Sequence, residues 1–113
     1  MEPKIAFRVR EHDDPACEIR VNFGVFAGRS ATPAEIDDLA MGLQDSVASF
    51  SIVAEERHEF GDSVEASLHQ VVIEVEREFA GEQPERLCAE LVAVADEWAK
   101  ACIATRHVDV ADL

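Results

Sequence analysis

The chain is poor in basic residues. Its 113 residues include 10 lysines and arginines against 24 aspartates and glutamates, which gives a net charge of −14. A nucleic-acid-binding protein needs a basic face to contact phosphates, so this balance argues against a nucleic-acid partner. It argues equally against binding to an anionic membrane surface. We therefore expect an acidic protein that binds neither nucleic acid nor a membrane.

Long apolar segments and paired cysteines are also missing. No apolar run approaches the roughly 20 residues of a transmembrane helix, and residues 1–4 begin no apolar signal segment. The three cysteines are odd in number, and none belongs to a Cys-x-x-Cys motif, as is typical of a reduced compartment. We expect a cytoplasmic protein, and the 8 arginines against 2 lysines are typical of a GC-rich bacterial genome.

Recognisable catalytic and phosphate-binding motifs are absent as well. The sequence contains no Gly-x-Gly-x-x-Gly, no P-loop, no His-Glu-x-x-His and no Gly-x-Ser-x-Gly. No cysteine has a histidine and a base beside it in a pattern typical of a nucleophile. These absences favour a protein that is not an enzyme, and they predict no cofactor.

Alternating apolar and polar residues predict four strands. The four segments cover residues 4–10, 17–26, 51–60 and 67–76. Asp14-Pro15 separates the first two, and Gly61-Asp62-Ser63 separates the last two, so each pair forms a hairpin. Gly28 and the three residues after it end the second strand.

Capping signals and apolar periodicity predict two helices. Thr32 can cap the first helix, Pro33 suits its first position, and Glu35 completes a capping box. The second helix begins near Pro84 and gives way to a short tail at Val108. The two apolar stripes comprise Ile36, Leu39, Ala40, Leu43, Val47 and Phe50 in the first helix, and Leu87, Leu91, Val94, Ala95, Trp98 and Cys102 in the second.

The resulting order, ββαββα, predicts one α+β domain over residues 1–113. Two helices would cover one face of a four-stranded antiparallel sheet, which makes a two-layer sandwich. The second and fourth strands are the longest and most apolar, so they belong in the centre and the strand order is 1-2-4-3. This is a ferredoxin-like arrangement, circularly permuted so that its last strand comes first. Such a fold hosts many functions and assigns none.

The sheet face opposite the helices would be mostly charged around an apolar island. Val53, Leu68 and Val72 form this island, with Phe26 at its end. An apolar patch among charged residues is typical of a subunit contact, so we expect a homodimer. A solvated face of a monomer is the alternative, because antiparallel sheets can expose one face to water.

One cluster on the helix-covered face could hold a metal ion. We expect the third and fourth strands to pair so that Glu56 lies opposite Val71 and His58 lies opposite His69. Glu56, His58 and His69 would then converge as metal ligands, for zinc or a similar ion, or as a general acid and base. The alternative is that both histidines are solvated at the end of the sheet. The hypothesis depends on the register of the two strands.

Three functions therefore stay open. The leading hypothesis is a non-enzymatic module that binds an unidentified protein or small molecule and acts as a homodimer. The second is a small enzyme or metal-binding protein that uses Glu56, His58 and His69. The third is an acidic inhibitor that mimics nucleic acid on the basic surface of another protein, as the charge of −14 suggests.

Overall fold

The computed structural model describes the backbone of residues 2–61 and 64–111 and the side chains of residues 2–56 and 69–104. The strands are β1 (Ile5–Val9), β2 (Cys17–Val21), β3 (Ser51–Gly61) and β4 (Val64–Val75). The helices are α1 (Phe23–Ala27), α2 (Pro33–Leu43), α3 (Arg77–Ala80) and α4 (Pro84–Ala111). Within this described part of the chain, no helix is long and apolar enough to cross a membrane.

The strands form one antiparallel sheet in the order β1-β2-β4-β3. This order and the α+β class confirm the prediction. The two central strands carry the side chains that are most completely buried, among them Ile19 and Ile73 at 0% exposure. Central strands of a sheet are removed from water more completely than edge strands. This explains why the apolar character of the second and fourth strands predicts the strand order.

The core lies between one face of the sheet and the helices. Alternate residues of β2 and β4 pack in one cluster with the apolar residues of α2 and α4. The predicted stripes supply this cluster, with Leu39, Leu43, Leu91, Ala95 and Trp98 all buried. All three cysteines are buried there too, with Cys17 on β2 and Cys88 on α4 in the same core cluster.

The other face of the sheet is charged, and Arg20 lies at its centre. The Arg20 guanidinium donates to Glu55 at 2.8 Å, to Gln70 at 3.1 Å and to Glu18 at 3.2 Å, so it links three strands. Val72 is the strand neighbour of Arg20 and is only 2% exposed. Val72, one member of the predicted apolar island, is therefore not open to water.

The predicted island is correct only in part. Val53 is 42% exposed on this face, and the side chain of Leu68 lies outside the described residues. The inclusion of Phe26 is wrong, because Phe26 belongs to α1 and packs against the core cluster on the opposite face.

The second strand is shorter than predicted, because it ends at Val21 and a short helix follows. Alternation through residues 22–26 fits a strand, but the chain folds into α1 and packs Gly24 against β4. A Cβ on Gly24 would lie 2.9 Å from the Cβ and the backbone nitrogen of His69. Glycine at this position therefore permits the close approach of α1 to β4. Gly28 ends α1 with a φ of 73°, in the left-handed region that favours glycine.

The capping box of α2 is confirmed. The Glu35 amide donates to Thr32 Oγ1, and the Thr32 amide donates to the Glu35 carboxylate. The helix ends at Leu43, earlier than its predicted stripe, because the polar residues from Gln44 to Ser46 turn the chain, while Val47 still reaches the core. At the other end of the molecule, α4 continues to Ala111, so the tail predicted from Val108 is wrong.

The predicted register of β3 and β4 is wrong by two residues. The structure places Glu56 opposite His69 and His58 opposite Ser67, and it pairs Gly61 with Val64, while the predicted turn residues Asp62 and Ser63 lie outside the described residues. The predicted register would have put Glu56 opposite buried Val71. The observed register puts Ala54 opposite Val71 instead. Glu56 then lies beyond Val21 and Val71, the last pair of β2 and β4, so its carboxylate is not buried over the core.

Candidate ligand site

The candidate site lies where the helices stop covering the sheet. β4 pairs with β2 only from Val71 to Val75, whereas β3 accompanies β4 as far as Gly61 and Val64. The hairpin therefore continues beyond β2 as two strands. At the start of this extension the chain leaving α1 crosses over β4, and a cavity of about 180 Å³ opens beside it.

Both polar and apolar groups line this cavity. The polar lining residues are Ser30, Glu55, Glu56, His69 and Gln70. The apolar ones are Phe23, Ala31, Ala54 and Val71. The volume corresponds to about six water molecules at roughly 30 Å³ each, so it fits a small molecule or one end of a larger one.

A serine and a histidine meet at the mouth of the cavity. Ser30 Oγ lies 2.9 Å from His69 Nδ1, although 39 residues separate them in the chain. The Ser30 hydroxyl donates when Nδ1 carries no proton, and it accepts when Nδ1 is protonated. Ser30 is exposed and His69 is half-buried, so the pair is reachable from solvent.

Two contacts fix the position of His69. Gly24 of α1 packs against its backbone from the side of the helices. Across the ladder, Glu56 is its direct partner, and direct partners in an antiparallel pair have Cβ atoms about 4.5–5.5 Å apart. The imidazole is thus placed by a strand and a helix rather than by a loop.

The loop that carries Ser30 is held by the residue before it. Arg29 donates to both carboxylate oxygens of Glu35 at 2.6 and 2.8 Å, and to the Ser30 carbonyl oxygen at 3.0 Å. Its guanidinium also lies 5.5 Å from the centre of the Phe23 ring. Bidentate pairs of this kind fix direction as well as distance, so Ser30 rests on a defined backbone.

Glu35 is the anchor of this arrangement. The Arg29 guanidinium, followed by the backbone and hydroxyl of Thr32, lowers the pKa of the Glu35 carboxyl from 4.5 to about 2 against the opposing effect of burial. The Glu35 carbonyl oxygen also accepts a hydrogen bond from Trp98 Nε1 at 2.7 Å. Glu35 therefore joins the loop, α2 and α4 at one point.

The predicted metal ligands are brought together only in part. Glu56 and His69 are neighbours across the ladder, while the side chain of His58 lies outside the described residues. Among the side chains of residues 2–56 and 69–104, no group of three histidine, cysteine, aspartate or glutamate residues could hold a metal ion. The metal site that includes His58 stays a prediction.

Ser30 was not predicted from the sequence. It stands in the segment that ends the second predicted strand, where a serine is an ordinary loop residue. Its contact with His69 depends on α1, which the alternation pattern conceals. The motifs that mark a serine nucleophile in sequence place it in a strand–turn–helix, which this loop does not resemble.

Comparisons of the chain with protein-family models, with curated proteins and with solved structures find no match.

Proposed function

We propose that this protein is a small-ligand-binding module, and that its ligand is a small amine bound in the cavity beside Ser30 and His69. The observation that carries the proposal is the hydrogen bond of 2.9 Å between Ser30 and His69 at the mouth of a cavity of about 180 Å³. Binding sites commonly combine apolar walls with a few convergent polar groups, and this cavity has that composition.

The charge of the lining favours an amine over an anion. The described lining residues include two glutamates, Glu55 and Glu56, and neither lysine nor arginine. The Glu55 carboxylate is bound to Arg20 on the charged face of the sheet, so Glu56 is the lining glutamate that lies on the cavity side. The net charge of −14 adds a general attraction for cations.

Titration with ethanolamine and, separately, with acetate tests this proposal through the amide signals in ¹H–¹⁵N NMR spectra. We expect ethanolamine to shift the signals of Ser30, Ala31 and Gln70, and acetate to leave them in place. Glu56→Gln should weaken ethanolamine binding by up to about fivefold, since an exposed ion pair contributes about 0.2–1 kcal/mol. Equal shifts with both probes would contradict the preference for an amine.

A matched pair of histidine variants controls for general effects. His69→Ala should abolish the localised shifts and keep the fold, because alanine retains the Cβ that Gly24 contacts. His12→Ala should change nothing, since the His12 side chain is 89% exposed in the β1–β2 connection. If His69→Ala binds ethanolamine as the unchanged protein does, the cavity is not the binding site.

We further propose that the architecture is a two-layer sandwich of the ferredoxin-like type in a circularly permuted form. The antiparallel order β1-β2-β4-β3 and the core between one sheet face and the helices support this interpretation. The homodimer stays a prediction. The free outer edge of β3, an 11-residue strand at the side of the sheet, favours it, because edge strands are templates for pairing.

A further inference from the structure

We propose that Ser30 is a nucleophile activated by His69, and that a short acyl ester entering the cavity acylates Ser30 Oγ. This inference rests on the proposed function only in requiring that the cavity admits a small molecule. It goes beyond binding, because it assigns a covalent reaction to the pair.

The geometry of the pair meets the first requirement of such a reaction. An activated serine needs a general base within about 2.6–3.2 Å, and Ser30 Oγ lies 2.9 Å from His69 Nδ1. The base in turn needs a fixed orientation. The strand position of His69 and the close approach of Gly24 to its backbone and Cβ fix where the imidazole is attached, and the hydrogen bond with Ser30 orients its Nδ1.

The exposure of the two residues meets the second requirement. Ser30 is exposed and stands at the mouth of the cavity, so a carbonyl carbon can reach Oγ. The backbone under Ser30 is held by Arg29 through the bidentate contact with Glu35. The position of Ser30 is therefore fixed relative to the cavity, which distinguishes it from a surface serine on a loop that no side chain holds.

The reaction balances as an ester hydrolysis. Ser30 Oγ attacks the carbonyl carbon while its proton passes to His69 Nδ1. The ester C–O bond then breaks, and the leaving alcohol takes that proton from His69. In the second half, His69 Nδ1 removes a proton from water as the water oxygen attacks the acyl carbon. The bond from that carbon to Ser30 Oγ then breaks, and Oγ takes the proton back from His69. The sum is ester plus water giving acid plus alcohol.

Incubation of the intact protein with p-nitrophenyl acetate tests the inference. We expect mass spectrometry to find one acetyl group, and peptide mapping to place it on Ser30. Ser30→Ala should lose this acetylation. Ser49→Ala should keep it, because Ser49 is an exposed serine in the connection between α2 and β3. Acetylation of Ser30 no faster than that of Ser49 would overturn the inference.

His69→Gln separates an activated serine from an accessible one. The variant should acylate about 100- to 10,000-fold more slowly, since a general base contributes about that factor. An unchanged rate would overturn the proposal even with Ser30 labelled. NMR spectra of each variant establish that it is folded before its rate is compared.

The two proposals fail separately. If ethanolamine shifts the cavity signals and Ser30 is not acetylated, the inference is wrong and the binding function stands. If Ser30 is acetylated through His69 and ethanolamine shifts nothing, the preference for an amine is wrong and the nucleophile stands. If neither probe acts at the cavity, both proposals are wrong.

Discussion

The two faces of the sheet come from alternate residues of the same strands, yet they are stabilised in different ways. On the helix-covered face, Ile19 and Ile73 are fully buried in a contact that excludes water. On the charged face, Arg20 joins Glu18, Glu55 and Gln70 by hydrogen bonds that stay partly exposed. Buried apolar contacts carry far more free energy than exposed ion pairs do.

The difference also locates the candidate site. Ala54 of β3 and Val71 of β4 are cross-strand partners, so their side chains lie on the same face of the sheet. Ala54 is nevertheless exposed, whereas Val71 is only 2% exposed. The helix layer therefore ends between β4 and β3, and the cavity opens along that boundary. Polar residues such as Glu56 and His69 can face the helix side of the sheet only beyond this limit.

We expect the largest difference in the free energy of unfolding when an apolar residue is truncated on each face of the sheet. Ile73→Ala should lower the free energy of unfolding by about 2–5 kcal/mol, because it leaves a cavity in the core. Val53→Ala on the charged face should cost less than about 0.5 kcal/mol, since Val53 is 42% exposed. Urea unfolding measures both values. Similar losses in the two variants would mean that the charged face is covered in solution.

We expect an intermediate effect from Glu35, the carboxylate that binds Arg29 on the helix side of the sheet, in comparison with Asp37, an exposed carboxylate of the same helix. Glu35→Gln should cost about 1–3 kcal/mol near neutral pH, because Arg29 loses its ionic acceptor. Asp37→Asn, an exposed position of α2, is the matched control and should change little.

The pH dependence sharpens this comparison. The pKa of Glu35 is lowered from 4.5 to about 2 in the folded protein, so unfolding takes up a proton between these values. Its stabilisation is complete above pH 4.5 and is lost as the pH falls towards 2. The difference between Glu35→Gln and the unchanged protein should therefore shrink over this range. A difference that persists at pH 2 would show that ionisation of Glu35 is not its cause.

The smallest expected effect concerns the charged face itself. Arg20→Met keeps an apolar stem over Val72 and removes the three hydrogen bonds, and we expect a loss of about 0–1 kcal/mol. Added salt should reduce even this loss, because it screens exposed charges. Arg8→Met, at an exposed position of β1, controls for removal of a positive charge. A loss above about 2 kcal/mol would place Arg20 among the main determinants of stability.

The sequence was sufficient for the strand order and for the start of α2, because apolar strand patterns and capping boxes can be read from neighbouring residues. It was not sufficient for the register of β3 on β4, where a shift of two residues keeps every side chain on its face and leaves the alternation unchanged. The short helix α1 was hidden for a similar reason, since five residues are too few to show a helical period. Ser30 depends on both features, so its contact with His69 was beyond sequence reasoning.

The buried cysteines can serve as probes of local unfolding. Burial raises the pKa of Cys17 and of Cys102 to about 12 and also raises the pKa of Cys88, so these thiols are protonated as well as enclosed. Cys17 and Cys88 are 0% exposed, so a thiol reagent reaches them only in molecules that have opened, whereas Cys102 is 7% exposed and lines a pocket beside Trp98. Cys17 reports on β2, and Cys88 reports on α4. The order in which Cys17 and Cys88 are labelled would show which of β2 and α4 separates more readily from the core.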